Sequence, residues 1–208
     1  MKPTPTPSIV GRLVASGLFF LAFSLAGQAA EYYVAPTGSD SASGQRGAPW
    51  KTIQHAADPV GAGDAVIVAP GDYGELVKVR EAGSESSPIH FKSFEPHGAV
   101  VEGFEVLADH ITIEGFRITS DRNKAFGIHA GEAHREDAFT GGRFIGNLIH
   151  DIKGKGIYTG TNAVVRDNIL RNVYSGMWVN SGTLVENNEI DTLVPEFIEK
   201  NGKTRPNK

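Results

Sequence analysis

The 208 residues contain no cysteine, only two tryptophans and two methionines, and no surplus of positive charge. Without cysteine there is no disulfide framework, so stability has to come from a large, repetitive core. A formal net charge of −4 makes nucleic acid an unfavourable partner. Past the first thirty residues, no apolar run approaches the ~20 residues that a membrane-spanning helix needs. What the chain does have is 25 glycines and 40% hydrophobic residues, enough for one ordered domain.

The first thirty residues form a separate unit. Lys2 and Arg12 precede the apolar run LVASGLFFLAFSLAG, which ends in the small residues AGQAA just before Glu31. That order describes a secretory signal peptide over residues 1–30, with cleavage after Ala29 or Ala30, and predicts an exported protein, secreted or periplasmic. Losing Lys2 and Arg12 makes the mature chain more acidic still.

One short phrase then recurs: FIGNLIHDI, VRDNILRNV and VENNEIDTL carry Asn147, Asn168 and Asn188 at the same place, and ITIEGFRITS aligns with Phe116 at that place. The spacing of about twenty residues is that of a solenoid coil. Apolar residues keep the register on both sides of the anchor: Ile113, Phe144, Val165 and Val185 three positions before it, Ile118, Ile149, Leu170 and Ile190 two after. Further on comes a glycine and an apolar residue, in GIHAG, GIYTG and GMWVN, where a second strand is expected to start. Short β-branched segments bounded by Gly or Asn do not make amphipathic helices, so the pattern predicts an all-β parallel β-helix. Asn147, Asn168 and Asn188 are read as a structural ladder, each in a left-handed or bridging conformation and bonding to the next coil. The helix expected at PWKTIQHAAD would lay Trp50, Ile53 and Ala57 over the first coil, making residues 31–75 a cap.

The phrases YYVAPTGSD, PWKTIQHA, GAGDAVIVAPGDY and SPIHFKSF resemble the opening of secreted right-handed parallel β-helix proteins of the pectate-lyase-like superfamily, including the family-nine polysaccharide lyases. The resemblance covers about residues 31–194, followed by a charged tail over 195–208. It implies an anionic polysaccharide as partner and β-elimination, with Lys or Arg as base and Ca²⁺ held by acidic residues against the substrate carboxylate. Relatives usually carry more coils and a C-terminal cap, so the resemblance also implies that this chain stops early. The alternative is an inactive fragment or a non-catalytic carbohydrate-binding module on the same scaffold.

The base candidates are Lys153, Lys155 and Arg171, with Arg171 in register between His150 and Asp191; Arg166 is also available. The acids Asp151, Asp167, Glu186 and Asp191 fall at different corners, no paired or tripled aspartates suit Ca²⁺, and the metal is left unassigned. His129, Glu132, His134, Glu136 and Asp137 share one lengthened loop, which reads more simply as a tolerant surface insertion. The DPHD phrase of alginate epimerases is absent. Finally, Ile128, Ile157 and Met177 should point inward, which sends His129, Tyr158 and Trp178 outward as a row able to stack against sugar rings.

Overall fold

The computed structural model describes residues 29–123, 125–131 and 139–191, together with the backbone of Phe197–Lys200 and Lys203–Pro206. Residues 1–28, most of the stretch read as a signal peptide, and the loop residues Glu132, His134, Glu136 and Asp137 lie outside the described residues.

Strand β1 (Glu31–Val34) is the first described strand, and five coils follow it among the described residues. The first holds β2 (Ala65–Val68), β3 (Gly71–Asp72) and β4 (Leu76–Val79); the second, β5 (Ile89–Ser93), β6 (Ala99–Val101) and β7 (Gly103–Val106). The third holds β8 (Ile111–Glu114), β9 (Arg117–Ser120) and β10 (Ile128–Ala130). In the fourth, β11 (Arg143–Ile145) is followed by one long strand, β12 (Leu148–Tyr158); in the fifth, β13 (Val164–Arg166) is followed by β14 (Ile169–Trp178). Strands β15 (Leu184–Glu186) and β16 (Glu189–Asp191) begin another coil, and β17 (Phe197–Lys200) pairs antiparallel with β18 (Lys203–Pro206) in the stretch read as a charged tail.

All pairing between coils is parallel and builds three faces. The first is β1-β2-β5-β8-β11-β13-β15. The second runs β3-β6-β9 and on through the first halves of β12 and β14 to β16, and the third runs β4-β7-β10 into their second halves. Because β12 and β14 turn the corner without a break, Gly156 and Gly176 lie inside strands instead of starting them. Only Gly127, just before β10, fits the expected start.

The core is a set of columns one residue wide. Val66, Phe91, Ile113, Phe144, Val165 and Val185 share one register position on the first face. Val101, Ile118, Ile149, Leu170 and Ile190 share one on the second, and Val77, Phe104, Ile128, Ile157 and Met177 share one on the third. From Val66 to Val165 and from Val77 to Ile157 the columns are fully buried, and each large apolar side chain so removed from water contributes about 1.5–3 kcal/mol. Parallel stacking explains the repeat: an apolar residue finds its partner one coil away only if the same position is apolar there.

The asparagine ladder lies at the corner between the first and second faces. The Asn147 Oδ1 accepts from the Phe116 N–H (3.0 Å), the Asn168 Oδ1 from the Asn147 N–H (2.9 Å) and the Asn188 Oδ1 from the Asn168 N–H (2.9 Å). Each Nδ2 donates to a backbone carbonyl of the preceding coil, that of Ile113, Phe144 or Val165. The left-handed residue of each corner is not the asparagine but its predecessor: Gly115 (φ 74°), Gly146 (φ 62°), Asp167 (φ 58°) and Asn187 (φ 51°). A left-handed turn one residue earlier aims the following amide inward, where the unpaired groups are.

The helix α1 (Ile53–Ala57) buries Ile53, Ala56 and Ala57 at the start of the solenoid. Thr52 caps it, its Oγ1 accepting from the His55 N–H, and Asp40 in turn accepts from the backbone of Lys51 and Thr52. Trp50 is buried, stacks on Tyr32 with ring centroids 4.9 Å apart and donates from Nε1 to the Ala42 carbonyl. Trp50 bridges to Val34 of β1, and the Gln54 side chain exchanges hydrogen bonds with the Lys78 backbone of β4, so this segment lies against the first strands of two faces.

Candidate functional site

On the third face, the outward residue after each core residue forms a row across five coils. Lys78, Glu105, His129, Tyr158 and Trp178 occupy one register position. The first two positions are joined by an ion pair, with Lys78 Nζ 2.9 Å from Glu105 Oε2. Then come rings: Phe126 stacks on His129 (4.6 Å, 28°) and His129 on Tyr158 (5.0 Å, 24°). Trp178 ends the row with more than half its surface open, while Ile128 and Ile157 beneath it are fully buried and Met177 packs against the core.

Lys155 lies between the last two rings, its Nζ 4.4 Å from the Tyr158 centroid and 4.3 Å from that of Trp178. Its register partner is Ser175, whose Oγ accepts from Trp178 Nε1 at 2.7 Å and steadies the indole. Ring faces attract the ammonium by their quadrupole. No carboxylate among the described residues forms an ion pair with Lys155, so its charge faces the same open surface as the rings.

The other two base candidates lie elsewhere. Arg171 is on the second face in register between His150 and Asp191, as the spacing predicts, and its Nη2 reaches Glu189 Oε1 at 3.4 Å. Lys153 lines a cleft of about 400 Å³ at the bend between the second and third faces, with Asp121, Asp151, Asn172 and Tyr174. The structure therefore distributes Lys153, Lys155 and Arg171 over a cleft, a ring platform and a separate face. In the cleft, Asp151 (φ 56°) and Asn172 (φ 49°) are stacked left-handed residues, and Asn172 Nδ2 donates to Asp151 Oδ1 at 2.6 Å. His150 Nδ1 is 2.7 Å from the other Asp151 oxygen, and these two hydrogen bonds hold the Asp151 carboxyl below the usual range.

Ca²⁺ does not fit the described residues, because no group of three or more acidic or imidazole side chains among them converges on a point.

Burial lowers the His129 pKa, the Lys155 charge adds to the effect, and Glu105 opposes it. A folded-state value below the ordinary ~6.5 means that the unfolded chain takes up a proton first as pH falls, so stability is lost downward from that value. The fall in melting temperature between about pH 7 and pH 5 should therefore shrink in His129→Phe. An identical pH profile in variant and parent would show that the imidazole is not held neutral.

Sequence reasoning placed His129, Tyr158 and Trp178 but missed Lys78, Glu105 and Phe126. The first two follow the core residues Val77 and Phe104 just as His129 follows Ile128. Those coils carry no asparagine anchor, so only the register rule extended backward could have found them. The cleft was missed because its residues come from a bend inside two long strands that were read as broken.

Residues 36–93 match a family described as a protein of unknown function, DUF1565. Over 96 residues the chain is 30% identical to pectate lyase PEL9 of Emericella nidulans, covering 45% of this chain and 23% of that protein. Over 115 residues it is 27% identical to the uncharacterized protein YwoF of Bacillus subtilis, covering 47% of this chain and 25% of that one. A solved rhamnogalacturonan lyase superposes with a TM-score of 0.56 at 17% identity, over 77% of this chain and 51% of that one. The chain shares the parallel β-helix fold. A lacto-N-biosidase from Eubacterium ramulus has the same fold, with a TM-score of 0.59 at 12% identity over 77% of this chain and 41% of that one. The chain matches about a quarter of the length of each of these curated relatives. No helix among the described residues is long and apolar enough to cross a membrane.

Proposed function

We propose that this is an exported polysaccharide-active β-helix of the polyuronate-lyase kind, with its sugar chain bound on the third face across His129, Tyr158 and Trp178. One observation carries the reading: the Lys155 ammonium sits between two outward rings with no carboxylate paired to it among the described residues. Rings offer a flat apolar surface to the C–H faces of sugars, and a cation between them suits the carboxylate of a uronate. In this arrangement Lys155 neutralises the substrate carboxylate, which is the role the resemblance gives to a metal. That neutralisation would acidify the neighbouring sugar C–H, as β-elimination requires. A base would then have to come from another side chain, Lys153 being nearest in the strand and solvent-exposed.

Equilibrium binding to polygalacturonate and alginate tests the reading. Trp178→Ala should weaken binding about fivefold to tenfold while leaving thermal unfolding unchanged, because the indole is mostly exposed. Lys155→Ala should weaken uronate binding and remove most of its salt dependence. Full affinity in both variants would remove the platform from the proposal. The non-catalytic alternative shares this surface and differs only in turnover: the lyase reading requires unsaturated uronate ends to accumulate, whereas a carbohydrate-binding module would bind without producing them.

A further inference from the structure

The cleft at the bend has a chemistry unlike that of the ring row. Asp121 and Asp151 stand against the single cation Lys153, and Tyr174, 41% exposed, supplies a ring. The Asp151 carboxyl is fixed by His150 and Asn172 and held below its usual range, so it remains an anion and a hydrogen-bond acceptor at neutral pH. Two non-glycine residues in left-handed conformation, Asp151 and Asn172, shape the cleft wall on successive coils. Around Lys155 the charge is positive; in the cleft it is negative on balance.

The two places belong to the same two strands. Tyr174 and Trp178 are four residues apart in β14, at most ~13 Å of extended strand, and Lys153 and Lys155 are two apart in β12. A single oligosaccharide of a few residues can reach from one to the other. It would run around the bend, crossing from the second face to the third within the same two coils.

Resting on the platform reading above, we propose that the cleft is a second sugar subsite that takes a neutral, hydroxyl-bearing residue of the same chain whose uronate is held at Lys155. Hydroxyl groups donate to Asp151 and Asp121, Asn172 can exchange hydrogen bonds with them, and Tyr174 covers one sugar face. A second carboxylate placed there would meet two like charges at short range, which disfavours it. The ligand selected is thus a polymer in which a uronate neighbours an uncharged sugar.

The probes are polygalacturonate and the same polymer with about half or all of its carboxylates chemically reduced to alcohols. For the parent protein, titration calorimetry should show the half-reduced polymer binding about threefold to tenfold more tightly than the unreduced one, and the fully reduced polymer more weakly than either. Tyr174→Ala should abolish the preference for the half-reduced polymer while leaving the remaining affinity sensitive to Trp178→Ala. Asp121→Asn, which removes a charge without touching the Asp151 hydrogen bonds, should shrink the same preference. A parent that binds the unreduced polymer at least as well as the half-reduced one, or a preference that survives Tyr174→Ala, would overturn the subsite and leave the platform standing. A parent that binds none of the three polymers would overturn both.

Discussion

Asn168→Ala is expected to lower the unfolding free energy by about 3 kcal/mol or more, since several buried groups lose their partners together. Its Nδ2 donates to the Phe144 carbonyl at 2.8 Å and to Asn188 Oδ1 at 2.9 Å, while its Oδ1 accepts from both the backbone N–H and the Nδ2 of Asn147. Alanine leaves those donors and that carbonyl in a corner where Asn147 and Asn168 have no exposed surface. Each unsatisfied group costs about 1–3 kcal/mol when water cannot reach it, and part of the cost is recovered where the corner relaxes. Asn188→Ala should cost less, because Asn188 is partly exposed at the last described coil and its amide serves one neighbour instead of two. Chemical denaturation of both variants gives the order. An Asn168→Ala protein that unfolds like its parent but no longer binds polysaccharide would move the ladder from the scaffold to the binding site.

What the sequence made legible follows from the parallel stack. Each coil repeats its predecessor's environment, so Ile113, Phe144, Val165 and Val185 could be read as one column from spacing alone, and they occupy one register position. The same logic put His129, Tyr158 and Trp178 in a row. Properties set by the bends were not legible. The left-handed residues proved to be Gly146, Asp167 and Asn187 in place of the asparagines that follow them, since a spacing pattern marks which residue is kept and not which of two neighbours turns the chain. The cleft around Asp151 and Tyr174 depends on β12 and β14 continuing through the corner, and a glycine in each strand suggested a break there. Lys155 gave no signal as a ring-held cation, because the indole it touches is one coil away and 23 residues later in the chain.

Those strand glycines lead to the second large effect. Gly127, Gly156 and Gly176 follow one another on successive coils, and none is in a left-handed conformation, so it is space rather than backbone freedom that restricts them. A Cβ on Gly156 would lie 2.7 Å from the Gly176 carbonyl oxygen and 2.7 Å from Leu170 Cδ2. Both distances are too short to persist: the carbonyl belongs to the neighbouring strand, and Leu170 is fully buried in the second-face column. Gly156→Ala should therefore cost about 1–3 kcal/mol, the usual range for overpacking, and the reduced freedom of the unfolded chain returns only a fraction of that. The displacement falls between Lys155 and Tyr158, so polysaccharide affinity should drop together with stability even though Gly156 itself is buried. Gly176→Ala provides the contrast. Its Cβ would meet Ile190 Cδ1 at 3.5 Å, an ordinary contact, and the substitution should be nearly neutral or slightly stabilising. Melting temperatures and polygalacturonate affinities of the two variants decide the point. If alanine is equally costly at Gly156 and Gly176, or if Gly156→Ala is harmless, the coils are not pressed together at this glycine and the geometry of the ring row does not depend on it.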